Sequence, residues 1–175
     1  MRFRVFAGGE IDIGGVRRRC ALGRSGVVPA EKKREGDGAT PAGDWPLRRV
    51  FYRPDRTDRV RTHLPVQAIT ADDGWCDAPE DPSYNRPVRL PYVASAERLW
   101  REDAAYDLFV VIGYNDDPPR AGRGSAIFVH LATGDYAATA GCIALSRPDL
   151  EGLLAAAQPG DTLEITPPSV GASGP

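Results

Sequence analysis

Arginine alternates with apolar residues through Arg2-Phe3-Arg4-Val5-Phe6, and the pattern stops at Gly8-Gly9, which predicts a strand over 2–6. Ile11-Asp12-Ile13 and Val16–Leu22 read as further strands joined by a turn at Gly14-Gly15, and Val27-Val28 extends this β-rich start. The polar stretch 32–43, with glycines at 36, 38 and 43, reads as a surface connection that needs positive φ at several points. Val50-Phe51-Tyr52 predicts a strand. From 53 to 91 no period survives, and prolines at 54, 65, 79, 82, 87 and 91 predict a long ordered loop or insertion. Ser95–Arg101 predicts a short helix with Ser95 as its N-cap. The run Tyr106–Tyr114 is apolar on both parities and reads as a central strand, followed by a turn over 115–119. Ser125–Leu131 predicts the strand that carries His130. Beyond Ile143–Leu145, Ser146 reads as a helix cap, and Leu150, Leu153, Leu154 and Ala157 fall at i, i+3, i+4 and i+7 on one apolar face. Thr162–Ile165 is a last alternating strand. The expected organisation is one domain over 1–166 and a flexible tail over 167–175.

Composition sharpens this picture in three places. At 175 residues the chain can bury a core without disulfide staples, and its 19 glycines and 16 prolines favour many turns and short strands over long helices. A net charge of −2 argues against a nucleic-acid platform, so the clusters Arg17-Arg18-Arg19 and Arg120/Arg123 read as solvated positions. No run reaches transmembrane length. The cysteines at 20, 76 and 142 form no CxxC pair and the histidines at 63 and 130 have no HExxH spacing, so no metal site is expected, while a disulfide between two of the cysteines stays open.

The chemistry concentrates in Ser125–His130 and Thr139–Ser146. A thiol needs a base to become a good nucleophile, and imidazole is the usual one. Cys142 follows Thr139-Ala140-Gly141, where small residues leave the sulfur uncrowded and let backbone N–H groups face a substrate carbonyl. His130 sits among Ile, Phe, Val and Leu, where burial is costly unless its nitrogens have partners. The competing reading is a satisfied core histidine beside a buried structural cysteine. In the long loop, Trp75, Tyr84, Asn85 and Arg86 are the candidates for touching a ligand, and His63 reads as exposed and inert.

Three blocks, in order, resemble the L,D-transpeptidase (YkuD-type) catalytic domain family. Gly38-Ala-Thr-Pro-Ala-Gly43, followed by an aromatic and Leu47, resembles its Thr-Pro-x-Gly block. Ile127-Phe-Val-His130 resembles the strand with the family's histidine, and Thr139-Ala-Gly-Cys-Ile-Ala-Leu145 its Ser/Thr-His-Gly-Cys motif. The ending, helix then glycine then strand over 150–165, follows as well. Two positions depart from the pattern: Ala140 stands where the motif has histidine, and Ala144 where it has Arg or Asn. The twelve positions from His130 to Cys142 also make a shorter connection than is usual.

The resemblance implies a mostly β fold, a mixed β-sandwich with a few short helices, and a peptidoglycan stem tetrapeptide or muropeptide as substrate. Cys142 would attack the carbonyl of the L-centre of diaminopimelate and release D-alanine as a thioester forms, with His130 as the base. The Gly141 and Cys142 N–H groups would hold the oxyanion, and no cofactor or metal is implied. Arg123, Arg86 and Thr139 are the expected substitutes for the missing motif side chains. The chain as given starts without a leader, so the expectation is a cytoplasmic protein, or a periplasmic one if a leader is missing. Water is therefore preferred as acceptor, giving an L,D-carboxypeptidase of muropeptide recycling. The alternatives are a cross-linking L,D-transpeptidase, an amidase on another wall-linked amide, and a non-catalytic wall-peptide binding module.

Overall fold

A computed structural model describes residues 1–168. The alternating start folds as expected: β1 (Arg2–Phe6), β2 (Glu10–Ile13) and β3 (Val16–Arg19) form an antiparallel meander, with β4 (Val27–Pro29) after it. The next strand, β5 (Thr40–Tyr52), is much longer than the apolar pattern predicts. It absorbs Thr40–Gly43, which the sequence assigns to a loop, because parallel pairing with β4 and antiparallel pairing with β13 (Thr162–Ile165) satisfy its backbone. Its second half pairs with β6 (Val66–Ala68) and with β10 (Leu108–Ile112). One strand thus links the two halves of the fold.

The main sheet runs β12 (Ile143–Leu145), β11 (Phe128–Leu131), β10, β5, β13, β1, β2, β3. The architecture is a barrel-like β-sandwich, mostly strands with one short helix, as the sequence reading anticipates in class. A second sheet of order β8-β7-β9 comprises β7 (Asp73–Cys76), β8 (Pro87–Arg89) and β9 (Ala96–Arg98).

This second sheet revises two expectations. The stretch 53–91 holds three strands, so its prolines punctuate short strands instead of marking one long loop. Residues 96–98 form a strand and not a helix, because pairing with β7 (Trp75↔Glu97, Cys76↔Ala96) outweighs the weak helical preference of a seven-residue segment. One α-helix remains among the described residues, α1 (Arg147–Ala156), so the expected few helices reduce to this one. Ser146 caps it by accepting a hydrogen bond from the Asp149 N–H, and Leu150, Leu153 and Leu154 are buried. The expected tail lies outside the described residues from 169 on.

Strand β10 is apolar throughout because both its faces are covered. Leu108, Val110 and Ile112 face the larger core with the α1 leucines, Val129, Leu131 and Leu145. Phe109 and Val111 face a second, aromatic layer with Phe51, Phe128, Trp75, Leu99 and Tyr106. Cys142 belongs to this second layer, which places it between the main sheet and the three-stranded cap.

Candidate active site

Strands β11 and β12 run parallel with His130 opposite Ala144. Cys142 lies two residues before Ala144, so its side chain shares a face with His130 and Phe128, one diagonal step along the sheet. A cavity of about 480 Å³ opens on that face, and both side chains line it together with Tyr106, Glu97, Asp77 and Thr139.

The turn before Cys142 is fixed by its own side chains. Thr139 Oγ1 accepts from the Gly141 N–H at 3.1 Å and donates to the Cys142 carbonyl at 2.7 Å. Gly141 has φ 143°, and a Cβ there would lie 2.8 Å from the Ala39 carbonyl oxygen, so the glycine lets the turn seat against the 38–43 block. On its other side the Thr139 backbone is tied to Leu22 and Arg24. The Gly141 N–H is therefore committed to Thr139, while the Ala140 and Cys142 N–H groups of this turn have no acceptor among the described residues.

The sulfur is held by the strand that carries the histidine. Cys142 Sγ donates to the Ala126 carbonyl at 3.1 Å and lies 3.4 Å from the Phe128 N–H. Ala126 adopts φ 54°, a conformation that costs a non-glycine residue about 1 kcal/mol. Asn85 enforces it. Its Oδ1 accepts from the Ala126 N–H at 3.0 Å and from Trp75 Nε1 at 2.9 Å, while its Nδ2 donates to the carbonyls of Tyr114 and Asn115.

His130 is buried, with Nδ1 at 2.9 Å from the Leu131 carbonyl oxygen. A carbonyl only accepts, so Nδ1 carries the proton and Nε2 keeps its lone pair, which is the tautomer a general base requires. Burial lowers the pKa of His130, with the nearby Arg101 acting in the same direction against the Leu131 hydrogen bond and Asp103. Burial also pushes the Cys142 thiol up to about 12, and the Glu97 carboxylate adds to the rise; the Phe128 N–H, Lys33 and Tyr106 oppose it. At neutral pH the resting pair is thus an uncharged thiol beside an uncharged imidazole, and the proton must move as the nucleophile attacks.

Tyr106 is the residue that the sequence reading misses. Its ring meets the His130 ring edge-on at 5.4 Å, and its hydroxyl donates to Glu97 Oε1 at 2.6 Å. In sequence it is one aromatic at the head of an apolar run, and its role depends on Glu97 lying on a strand where a helix was expected. Trp75 and Tyr84 are buried off the cavity: Trp75 packs against Phe128, and the Tyr84 hydroxyl bridges Glu35 and the Gly124 N–H. Arg123 donates to the Glu31 carbonyl and Arg86 is exposed, neither of them lining the cavity. His63 is exposed as expected. Cys20 and Cys76 are free and buried, like Cys142, which closes the disulfide alternative. Among the described residues no cluster of His, Cys, Asp and Glu could hold a metal ion.

The family model of the L,D-transpeptidase catalytic domain (YkuD) matches residues 2–165. The chain belongs to this family. No curated protein and no solved structure matches it. The mostly-strand, barrel-like β-sandwich is consistent with that family. The family acts on peptidoglycan peptides. Among the described residues no helix is long and apolar enough to cross a membrane.

Proposed function

We propose that Cys142 carries out acyl transfer at the L,D peptide bond of peptidoglycan stem tetrapeptides. One observation carries this reading: the Leu131 carbonyl fixes His130 in the tautomer with a free Nε2, on the cavity face it shares with the Cys142 thiol. As the sulfur attacks the carbonyl carbon, His130 takes the thiol proton and then delivers it to the departing D-alanine amine. The products are a thioester on Cys142 and free D-alanine. The Cys142 N–H, unpaired in the resting turn like that of Ala140, is the donor nearest the sulfur in sequence and would meet the developing oxyanion. Thr139, which also lines the cavity, supports the turn through its hydroxyl. An acceptor nucleophile then attacks the thioester, with His130 returning as base.

The test is incubation of the protein with a diaminopimelate-containing tetrapeptide and mass spectrometry of the products. D-alanine release that disappears in Cys142→Ala is expected. Tripeptide as the product assigns water as acceptor, and peptide dimers assign an amine. D-alanine release that survives Cys142→Ala contradicts the mechanism, and tight binding without release assigns a binding module instead.

A further inference from the structure

The cavity around Cys142 is electrostatically lopsided. Its two cations are already committed: Lys33 Nζ sits 2.7 Å from Asp37, and Arg101 holds Asp103 with Nε at 2.9 Å and Nη2 at 2.6 Å. Arg101 reaches Glu97 only at 3.7 Å. Three carboxylates remain on the lining, Glu35, Asp77 and Glu97. Glu35 is satisfied by the hydroxyls of Tyr84 and Ser125. Asp77 is different. Its Oδ1 is buried and, among the described residues, is the one buried side-chain oxygen or nitrogen with no hydrogen-bond partner. A desolvated carboxylate oxygen left unpaired costs several kcal/mol, and a bound cation is the usual compensation.

The sheet register brings Asp77 and Glu97 together. Trp75 faces Glu97 across β7 and β9, and the Asp77 N–H bonds to the Ser95 carbonyl, so Asp77 and Glu97 lie on one face, a diagonal step apart. Burial, with Asp77 and Glu35 nearby, holds the Glu97 carboxyl above the usual carboxylate range. A positive charge placed between Asp77 and Glu97 relieves both strains. Glu97 also accepts from the Tyr106 hydroxyl, whose ring abuts His130, so a charge arriving there is felt at the reacting pair.

We propose that Asp77 and Glu97 form a subsite for a primary ammonium group on the substrate residue whose carbonyl Cys142 attacks, and that Tyr106 couples this subsite to the His130–Cys142 pair. The inference rests on the acyl-transfer reading and deepens it, since a diamino residue whose α-amine lies in the peptide chain still presents a free ammonium at the end of its side chain. An ammonium donates three hydrogen bonds, enough to satisfy Asp77 Oδ1 and both sides of the Glu97–Asp77 gap. Neutralising Glu97 also removes a charge that opposes thiolate formation.

The experiment compares a diaminopimelate tetrapeptide with the same peptide acetylated on its side-chain amine, by calorimetric binding to the Cys142→Ala protein and by D-alanine release from the unsubstituted protein. Charge-assisted hydrogen bonds predict a preference for the free amine of about tenfold or more. Asp77→Asn and Glu97→Gln keep shape and hydrogen-bonding capacity, and each is expected to shrink that preference to about twofold. Equal binding of the two peptides, or a preference untouched by both substitutions, overturns the subsite while leaving acyl transfer standing. Selective binding without D-alanine release has the opposite meaning: the subsite stands and the acyl-transfer reading falls.

Discussion

His130 and Tyr106 set the proton chemistry of the cavity one residue at a time. Because burial depresses the His130 pKa, the imidazole stays neutral, and able to accept a proton, below its ordinary value near 6.5. The acid limb of kcat/KM for D-alanine release is therefore expected below about pH 6.5. Stability has a matching sign. A folded-state pKa below the unfolded one means that protonation favours unfolding, so this contribution is complete above about pH 6.5 and is lost as pH falls through the folded value. His130→Gln should make the acid slope of Tm shallower; an unchanged slope would show that the imidazole is not the group titrating there. Tyr106→Phe keeps the ring against His130 and removes the hydroxyl that donates to Glu97, leaving the carboxylate that opposes thiolate formation without that partner. Iodoacetamide alkylation of Cys142 should then need higher pH, and D-alanine release should fall about tenfold, the loss of one hydrogen bond near a charge.

At the level of elements, the turn Thr139–Cys142 is the part that cannot be substituted freely. Gly141→Ala places a methyl 2.8 Å from the Ala39 carbonyl in a backbone region that side chains avoid. It is expected to cost about 1–3 kcal/mol in urea unfolding and to cut D-alanine release by at least tenfold, because the sulfur moves with the turn. Wild-type rates in this variant would mean that the turn is not what positions the thiol. The tight turn was legible in the sequence, since Ala140 and Gly141 are small residues that allow one directly before Cys142. So were the meander, the central apolar strand β10 and the capped helix, each with a clear period or cap. The cap sheet was not. Its strands are three or four residues long, too short to show alternation, and are stabilised by partners far along the chain. That gap hid Glu97 and with it the significance of Tyr106. It also made Trp75 and Tyr84 look like ligand contacts, when their polar atoms bind Asn85 and Glu35.

Across the whole molecule, the site lies where the cap sheet docks on the sandwich, and the docking is specified by few side chains. Asn85 joins Trp75 of the cap to Ala126 and Tyr114 of the main body. Arg53 donates to the Arg101 carbonyl at 2.7 Å and lies 3.9 Å from the Trp100 ring centroid. Asn85→Ala strands several buried donors and acceptors at once, so a loss of about 3 kcal/mol in unfolding free energy is expected, with the cap loosening first in hydrogen exchange. Uniform loss of protection would instead make cap and sandwich one cooperative unit. The cap also supplies Asp77 and Glu97 to the cavity, so its docking and the chemistry at Cys142 stand or fall together. The central claim is that Cys142 becomes acylated. Acid quenching of the protein during turnover of a diaminopimelate tetrapeptide, followed by intact-mass and peptide mass spectrometry, tests it directly. The account predicts a mass gain equal to the tetrapeptide minus D-alanine, mapped to the peptide containing Cys142 and reversed by hydroxylamine. D-alanine release with unmodified Cys142 at every quench time, and with undiminished rate in Cys142→Ala, would contradict it.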